Sequence, residues 1–194
     1  MLVKEIHLKM DRRVRCKWCN LNNPLYIQYH DNEWGKLNLH DNYLFEMLIL
    51  ESFQAGLSWE CILNKRENFR CALDSFNIDK IVRYNDEKIN ELMHNSMIIR
   101  NKLKIKAMIE NAKIYKNIQS EFGTFHKYLK TFMDDKIIYE YDKTTSDLSD
   151  KISNDLKKRG MKFVGSTVIY SYLQAIGIIY SHQKDCFMYR KINN

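Results

Sequence analysis

Turn formers are scarce in this chain: one proline and six glycines serve 194 residues. An all-β protein of this length would spend many more on its turns, so long helices are expected. No apolar run approaches the ~18 residues that a membrane-spanning helix needs. Residues 1–15 alternate Lys, Glu, His and Arg with apolar positions and lack the apolar centre of a secretory signal. The expected compartment is therefore the cytoplasm, where disulfides are rare and cysteines act as core thiols, metal ligands or nucleophiles. Repeats and low-complexity tracts are also missing.

What is present is ordinary globular material. Hydrophobic residues make up 45%, enough for one domain with a sizeable core. The formal charge is +7, from 31 basic and 24 acidic side chains. Such an excess fits a polyanionic partner such as nucleic acid, or serves solubility alone.

Several helices can be read from spacing. Asp41 reads as an N-cap for 43–55, where Leu44, Leu48, Glu51 and Ala55 share one face. Gly56 ends that helix, and Ser58 caps a second one from Trp59 to about Phe69. A short helix follows at Asp86 to Met93. The longest runs from Arg100 to Gln119, with Leu103, Ala107, Met108, Ala112 and Tyr115 inward and Lys102, Lys104, Lys106, Lys113 and Lys116 elsewhere. Thr124 opens another, through Phe132, and 134–145 reads as a loop. The clearest supersecondary signal comes last: a helix at 149–159, a glycine-bounded connection from Gly160 to Gly165, and a helix at 168–176 closed by Gly177.

Three groups of residues carry chemistry. Cys16 and His30 lie near one end of the chain and His182 and Cys186 near the other, the latter pair at the i, i+4 spacing of one helical turn. Two thiolates and two imidazoles make a closed tetrahedral zinc site; Cys19, in a C-x-x-C knuckle with Cys16, is a rival ligand. The bland alternative is surface histidines and spectator thiols. Cys61 and Cys71 fall in helical pattern and read as core thiols.

Glu51 is the second group. It shares an apolar stripe, where a carboxylate is costly without partners. It is either a rim or ion-paired acid, or the floor of a cavity whose aromatic walls are Trp59, Trp18, Tyr26, Tyr29 and Trp34. The third is the connection Lys162-Phe163-Val164-Gly165-Ser166-Thr167. It is either a plain helix-to-helix turn or a backbone anion site for DNA phosphate.

Longer blocks join these groups in order. They are Pro24-Leu25-Tyr26-Ile27, then 29–35 (YHDNEWG), Leu50-Glu51, and 54–59 (QAGLSW). Lys65-Arg66-Glu67-Asn68, Ile98-Ile99-Arg100, Lys157-Lys158-Arg159-Gly160, Lys162-Phe163-Val164-Gly165 and Gln174-Ala175 follow. From about Cys16 to Cys186 the chain resembles the DNA-3-methyladenine glycosylase I family, the Tag enzymes of bacterial base-excision repair, in the helix-hairpin-helix glycosylase superfamily. It departs from the family pattern in the extra residues at 1–15, in the connection from Cys16 to Pro24, and in the weak match of 134–145.

The resemblance implies an all-α fold with a single glycosylase domain at 16–190, two lobes around a base pocket, and residues 1–15 as an extension with room to be flexible. It implies one structural zinc ion per chain, bound by Cys16, His30, His182 and Cys186 and not by Cys19. It places the base pocket at Glu51, Tyr29, Trp59 and Trp18, with Tyr26 and Trp34 nearby. The DNA-anchoring hairpin falls on Lys162, Gly165, Ser166 and Thr167. The implied activity is hydrolysis of the N-glycosidic bond of 3-methyladenine in alkylated double-stranded DNA after base flipping, by a monomer with Glu51 as its working acid. The alternatives are a non-catalytic, zinc-stabilised DNA-binding module and a hydrolase with a catalytic zinc.

Overall fold

A computed structural model describes residues 13–134 and 136–191. Positions 1–12, most of the expected extension, lie outside the described residues. The described part is helical: α1 (Pro24–Asn32), α2 (Asp41–Gln54), α3 (Trp59–Leu63), α4 (Arg66–Ala72), α5 (Ile78–Ile81), α6 (Asp86–His94), α7 (Lys102–Phe122), α8 (Phe125–Leu129), α9 (Asp147–Lys158) and α10 (Ser166–Ala175). Two short strands, β1 (Ile138–Tyr139) and β2 (Ile179–Tyr180), pair in parallel. None of these helices is long and apolar enough to cross a membrane.

Caps explain most boundaries. Asn23 accepts from the Leu25 and Tyr26 amides and Pro24 takes the first turn, where its missing N–H goes unnoticed. Ser58, Asn85, Asn101, Thr124 and Ser146 cap α3, α6, α7, α8 and α9 with side-chain oxygens. Asp41 is not a cap. It is the first residue of α2, and its carboxylate instead accepts from Gln119 Nε2 at 2.7 Å. The expected helix from Trp59 to Phe69 is two helices, because Asn64 and Lys65 close one turn and start the next. Part of the expected loop at 134–145 is drawn into β1, held beside β2 by the Ile138 amide to the Ile178 carbonyl and the Glu140 amide to the Tyr180 carbonyl.

The core forms where α10 packs against α9 and α2, and where α7 covers α2. Leu44, Met47, Leu48, Ile49 and Leu50 of α2 are fully enclosed. Two expectations fail on α7: Leu103 is 72% exposed, while Lys104 is 7% exposed. Cys61 and Cys71 are not core thiols either. Cys61 is half-buried and Cys71 exposed, since α4 turns Phe69 and Ala72 inward instead.

The turn between α9 and α10 is held from outside. Gly160 takes φ +102, a conformation open to glycine. Asn111 of α7 then pairs with Lys162 twice: its Oδ1 accepts from the Lys162 amide at 2.9 Å and its Nδ2 donates to the Lys162 carbonyl at 2.8 Å. Ser153 donates to the Val164 carbonyl at 2.7 Å, and the Ser149 and Ser166 hydroxyls meet at 2.8 Å. Gly165 is the N-cap residue of α10.

Candidate functional site

The polar stretch at 29–34 sits at the end of α1, where the helix lets neighbours face opposite ways. Tyr29 turns toward Trp59, ring centroids 5.2 Å apart. His30 turns the other way, to within 4.8 Å of the His182 ring. Trp34 lies edge-on to Trp18 at 4.7 Å, and Trp18 in turn is 5.4 Å from Tyr26. The end of α1 is locked to α2 and α4 by a partly buried ion network. Glu33 accepts from Arg66 and Tyr43, and Glu46 accepts from Arg66 and Arg70.

These aromatics enclose a cavity of about 280 Å³ lined by Trp18, Tyr26, Tyr29, Trp34, Glu51, Gln54, Trp59, Ser171 and Gln174. All six residues expected to form a pocket are in its wall. Glu51 is 3% exposed, and its Oε2 finds no hydrogen-bond partner among the described residues. Burial pushes its carboxyl up to about 8. Trp59 Nε1 in the same wall is also buried and, among the described residues, unpaired. The cavity therefore presents an unpaired carboxyl oxygen and an unpaired indole N–H, framed by π faces, to whatever fills it. Burial likewise holds the Tyr29 hydroxyl well above its ordinary value, so it stays a neutral donor.

Ser171 and Gln174 were not singled out as wall residues by the sequence. A signal was there: they stand three apart on α10, whose neighbours Ile169, Tyr170, Tyr172, Leu173 and Ala175 are buried. The hairpin residues lie together at the start of the same helix. Lys162 and Thr167 are exposed, and Gly165 and Ser166 half-buried. α10 thus links hairpin and cavity in one rigid rod.

Behind the cavity, Cys16, His30, His182 and Cys186 are all buried, with their ligand atoms within 4.8 Å of one another. Cys16 Sγ lies 3.5 Å from His182 Nδ1, and Cys186 Sγ lies 3.4 Å from His30 Nε2 and 3.6 Å from His182 Nδ1. A tetrahedral metal with Zn–S of ~2.3 Å and Zn–N of ~2.0–2.1 Å has S···N edges of about 3.6 Å, so the donor set fits one. The outer hydrogen bonds suit it too. His30 Nδ1 pairs with Asp31 at 2.7 Å, leaving Nε2 for a ligand role, and His182 Nε2 meets the Trp34 carbonyl at 3.4 Å. Amides of Gln183 and Met188 donate to the two sulfurs at 3.3 and 3.4 Å. Cys19 takes no part; its thiol faces the Tyr26 carbonyl. His182 and Cys186 do not share a helical turn as expected. They are joined by a non-helical turn in which the Cys186 amide reaches the Gln183 carbonyl.

Burial pushes the Cys16 thiol up to about 12 and the His182 imidazole down to about 4, so apolar surroundings favour neutral donors. Asp31 is the exception. Burial alone would raise it, but Arg15, gripping it at 2.9 and 2.7 Å, and His30 hold its carboxyl below the usual range. Arg13 adds a contact at 3.4 Å, so residues 13–15 lie against this cluster.

Solved structures of DNA glycosylases superpose on nearly the whole of this helical chain, so it has their fold. Within that class the chain belongs to the methyladenine glycosylase family, whose model matches residues 18–189. It is 39% identical over 181 residues to DNA-3-methyladenine glycosylase 1 of Escherichia coli, which covers 90% of this chain and 96% of that relative. A crystal structure of 3-methyladenine DNA glycosylase I superposes with a TM-score of 0.87 at 38% identity, over 91% of this chain and 100% of that one. The structure from Staphylococcus aureus, described as showing the structural basis of 3-methyladenine recognition, superposes with a TM-score of 0.83 at 34% identity, over 88% and 94%.

Proposed function

We propose that the protein is a DNA-3-methyladenine glycosylase that flips the damaged base into the cavity and hydrolyses its N-glycosidic bond. The observation that carries this reading is Glu51, an acid with an unpartnered oxygen inside an aromatic cavity. Such a group is costly unless a ligand completes it. The relatives just described carry names for this activity and align over nearly the whole chain.

Adenine methylated at N3 is cationic while still attached to its sugar. It is a good leaving group and departs neutral, so no acid need protonate it. The enzyme's work is selection and stabilisation of a sugar with oxocarbenium character. Tyr29 and Trp59 pack the ring, with Trp18, Tyr26 and Trp34 completing the wall. Glu51 accepts from the exocyclic amine and, once ionised, answers the positive charge. Burial keeps that acid protonated until a cation arrives, so a neutral base draws out no anion. Once a cationic base has ionised it, the carboxylate cannot donate to the O6 of an alkylated guanine, which selects further. The hairpin at Lys162, Gly165, Ser166 and Thr167 grips the phosphate backbone of duplex DNA, with a steep salt dependence.

Cys16, His30, His182 and Cys186 hold one zinc ion in this reading. Four protein ligands leave no position for water, so the ion is structural and ties the first described residues to the last. The protein works as a cytoplasmic monomer in a single domain from 16 to 190. Incubating methylated duplex DNA with the protein and identifying the bases released is the test. Release of 3-methyladenine supports the reading; salt-dependent DNA binding without any released base would replace it with a non-catalytic DNA-binding module.

A further inference from the structure

The buried ammonium of Lys104 lies between the end of α2 and the hairpin. Its Nζ donates to the Phe53 carbonyl at 2.7 Å and to the Ala55 carbonyl at 2.6 Å. Those carbonyls end α2, where the helix leaves acceptors without amide partners and where its dipole favours a cation. Glu51 lies on the last turn of α2, and Trp59 begins α3 just beyond. Only the turn at 55–58 separates them, and it closes through the Leu57 amide to the Gln54 carbonyl at 2.6 Å. On its other side the same ammonium lies 5.8 Å from the ring centroid of Phe163, in the hairpin. Phe163 has φ +57, an uncommon conformation for a bulky residue, and the next residue back, Lys162, is clamped by Asn111 of α7.

We propose that Lys104 is a positioning residue that holds the Glu51 to Trp59 turn in register with the hairpin, so that a duplex seated on the hairpin presents its flipped base to a correctly shaped cavity. The inference rests on the glycosylase reading above and adds a residue to it. One helix, α7, carries both tethers: Asn111 fixes the hairpin and Lys104 fixes the cavity turn. An apolar side chain could fill the same space but would leave two carbonyls unpaired and the turn free to shift. Remote supports of this kind matter because small misplacements at a reacting centre are costly.

The test compares Lys104→Met, Lys104→Arg and Asn111→Ala with wild type. Lys104→Met is expected to lose at least ~10-fold in affinity for free 3-methyladenine and in single-turnover release, with affinity for unmodified duplex changed by less than ~3-fold. Lys104→Arg, which also donates to both carbonyls, is expected to restore most of both. Asn111→Ala is expected to show the reverse pattern, weaker duplex binding with free-base affinity retained. Hydrogen exchange at the Leu57 amide should quicken in Lys104→Met and return in Lys104→Arg. The idea is overturned if Lys104→Met binds and releases the base as wild type does, or if Arg fails to restore what Met removes. Should Lys104→Met not fold, Lys104→Gln, whose amide is too short to reach both carbonyls as the ammonium does, is expected to lose base affinity in the same direction. If wild type itself releases no 3-methyladenine, the glycosylase reading fails, while the exchange comparison still judges the tether.

Discussion

Glu51 Oε2 and Trp59 Nε1 line one cavity, and neither finds a hydrogen-bond partner among the described residues, although one can accept and the other can donate. Native interiors rarely leave such groups unpaired. A pair of this kind marks a surface shaped to be completed from outside. The first expectation follows. Glu51→Gln keeps the shape but loses the charge, and a hydrogen bond to a charged group contributes ~1.5–3 kcal/mol. Release of 3-methyladenine from methylated DNA should fall about 10- to 100-fold with circular dichroism unchanged. Wild-type rates in that variant would remove Glu51 from the reaction.

The same residue makes stability depend on pH. Its folded value of about 8 stands above the ordinary 4.5 because burial disfavours the anion. A raised acid contributes stability that is fully present below pH 4.5 and is lost as pH climbs toward 8. The full loss is at most about 5 kcal/mol. Glu51→Gln cannot ionise, so its advantage over wild type should be small near pH 4.5 and largest at pH 8 and above. Urea denaturation of both proteins across that range reads the difference; an offset independent of pH would contradict it.

Trp59 tests the wall instead of the floor. Stacking a base on an aromatic ring is worth ~1–3 kcal/mol. Trp59→Ala should therefore weaken free 3-methyladenine binding about 10- to 100-fold, measured by calorimetry. Tyr29, 5.2 Å away, shares the task, so the double variant should lose less than the sum of the two singles.

How legible was this in the chain? The existence of α6 and α9 was readable, and so was the start of α3 after Gly56, with Ser58 as its cap. Glu51 was readable because an acid broke an apolar stripe. Ser171 and Gln174 broke a stripe in the same manner on α10 but were passed over, since neutral side chains draw less attention than a buried charge. Lys104 was misread as exposed and Leu103 as buried. Periodicity knows only a helix's own face, whereas the carbonyls that draw Lys104 inward belong to Phe53 and Ala55, remote in the chain. The i, i+4 spacing of His182 and Cys186 suggested a helix, whereas the segment is a turn closed by the Cys186 amide to the Gln183 carbonyl, which spacing alone does not distinguish.

The cluster of Cys16, His30, His182 and Cys186 predicts metal-dependent stability. Metal analysis of the purified protein should find close to one zinc per chain. Chelation, or Cys186→Ser, leaves buried donors facing each other without a cation between them. A loss of ~3 kcal/mol would lower Tm by roughly 10 °C in a chain of this size. Cys19→Ser should retain both metal and Tm, because that thiol faces the Tyr26 carbonyl. Loss of zinc in Cys19→Ser, or an unchanged Tm after complete chelation, would break the assignment.

Gly177 gives the last expectation, in the joint that seats the segment after Trp34 against the end of α10. Its φ is +80, and a Cβ there would lie 2.2 Å from the Lys36 carbonyl carbon and 2.3 Å from the Leu37 nitrogen. The close approach is what lets the Asn38 amide reach the Ile176 carbonyl at 3.0 Å and the Gly35 amide reach the Gln174 carbonyl at 3.1 Å. Gln174 itself lines the cavity. Gly177→Ala must move backbone, not a flexible side chain, and adds left-handed strain, so it should destabilise by at least ~3 kcal/mol. Gly56 shares the φ of +80 but has open space where a Cβ would go. Gly56→Ala should therefore carry only the strain, about 1–2 kcal/mol. Denaturant midpoints of the two variants separate crowding from strain; equal losses would mean that the contact with Lys36 and Leu37 is not what requires glycine at 177.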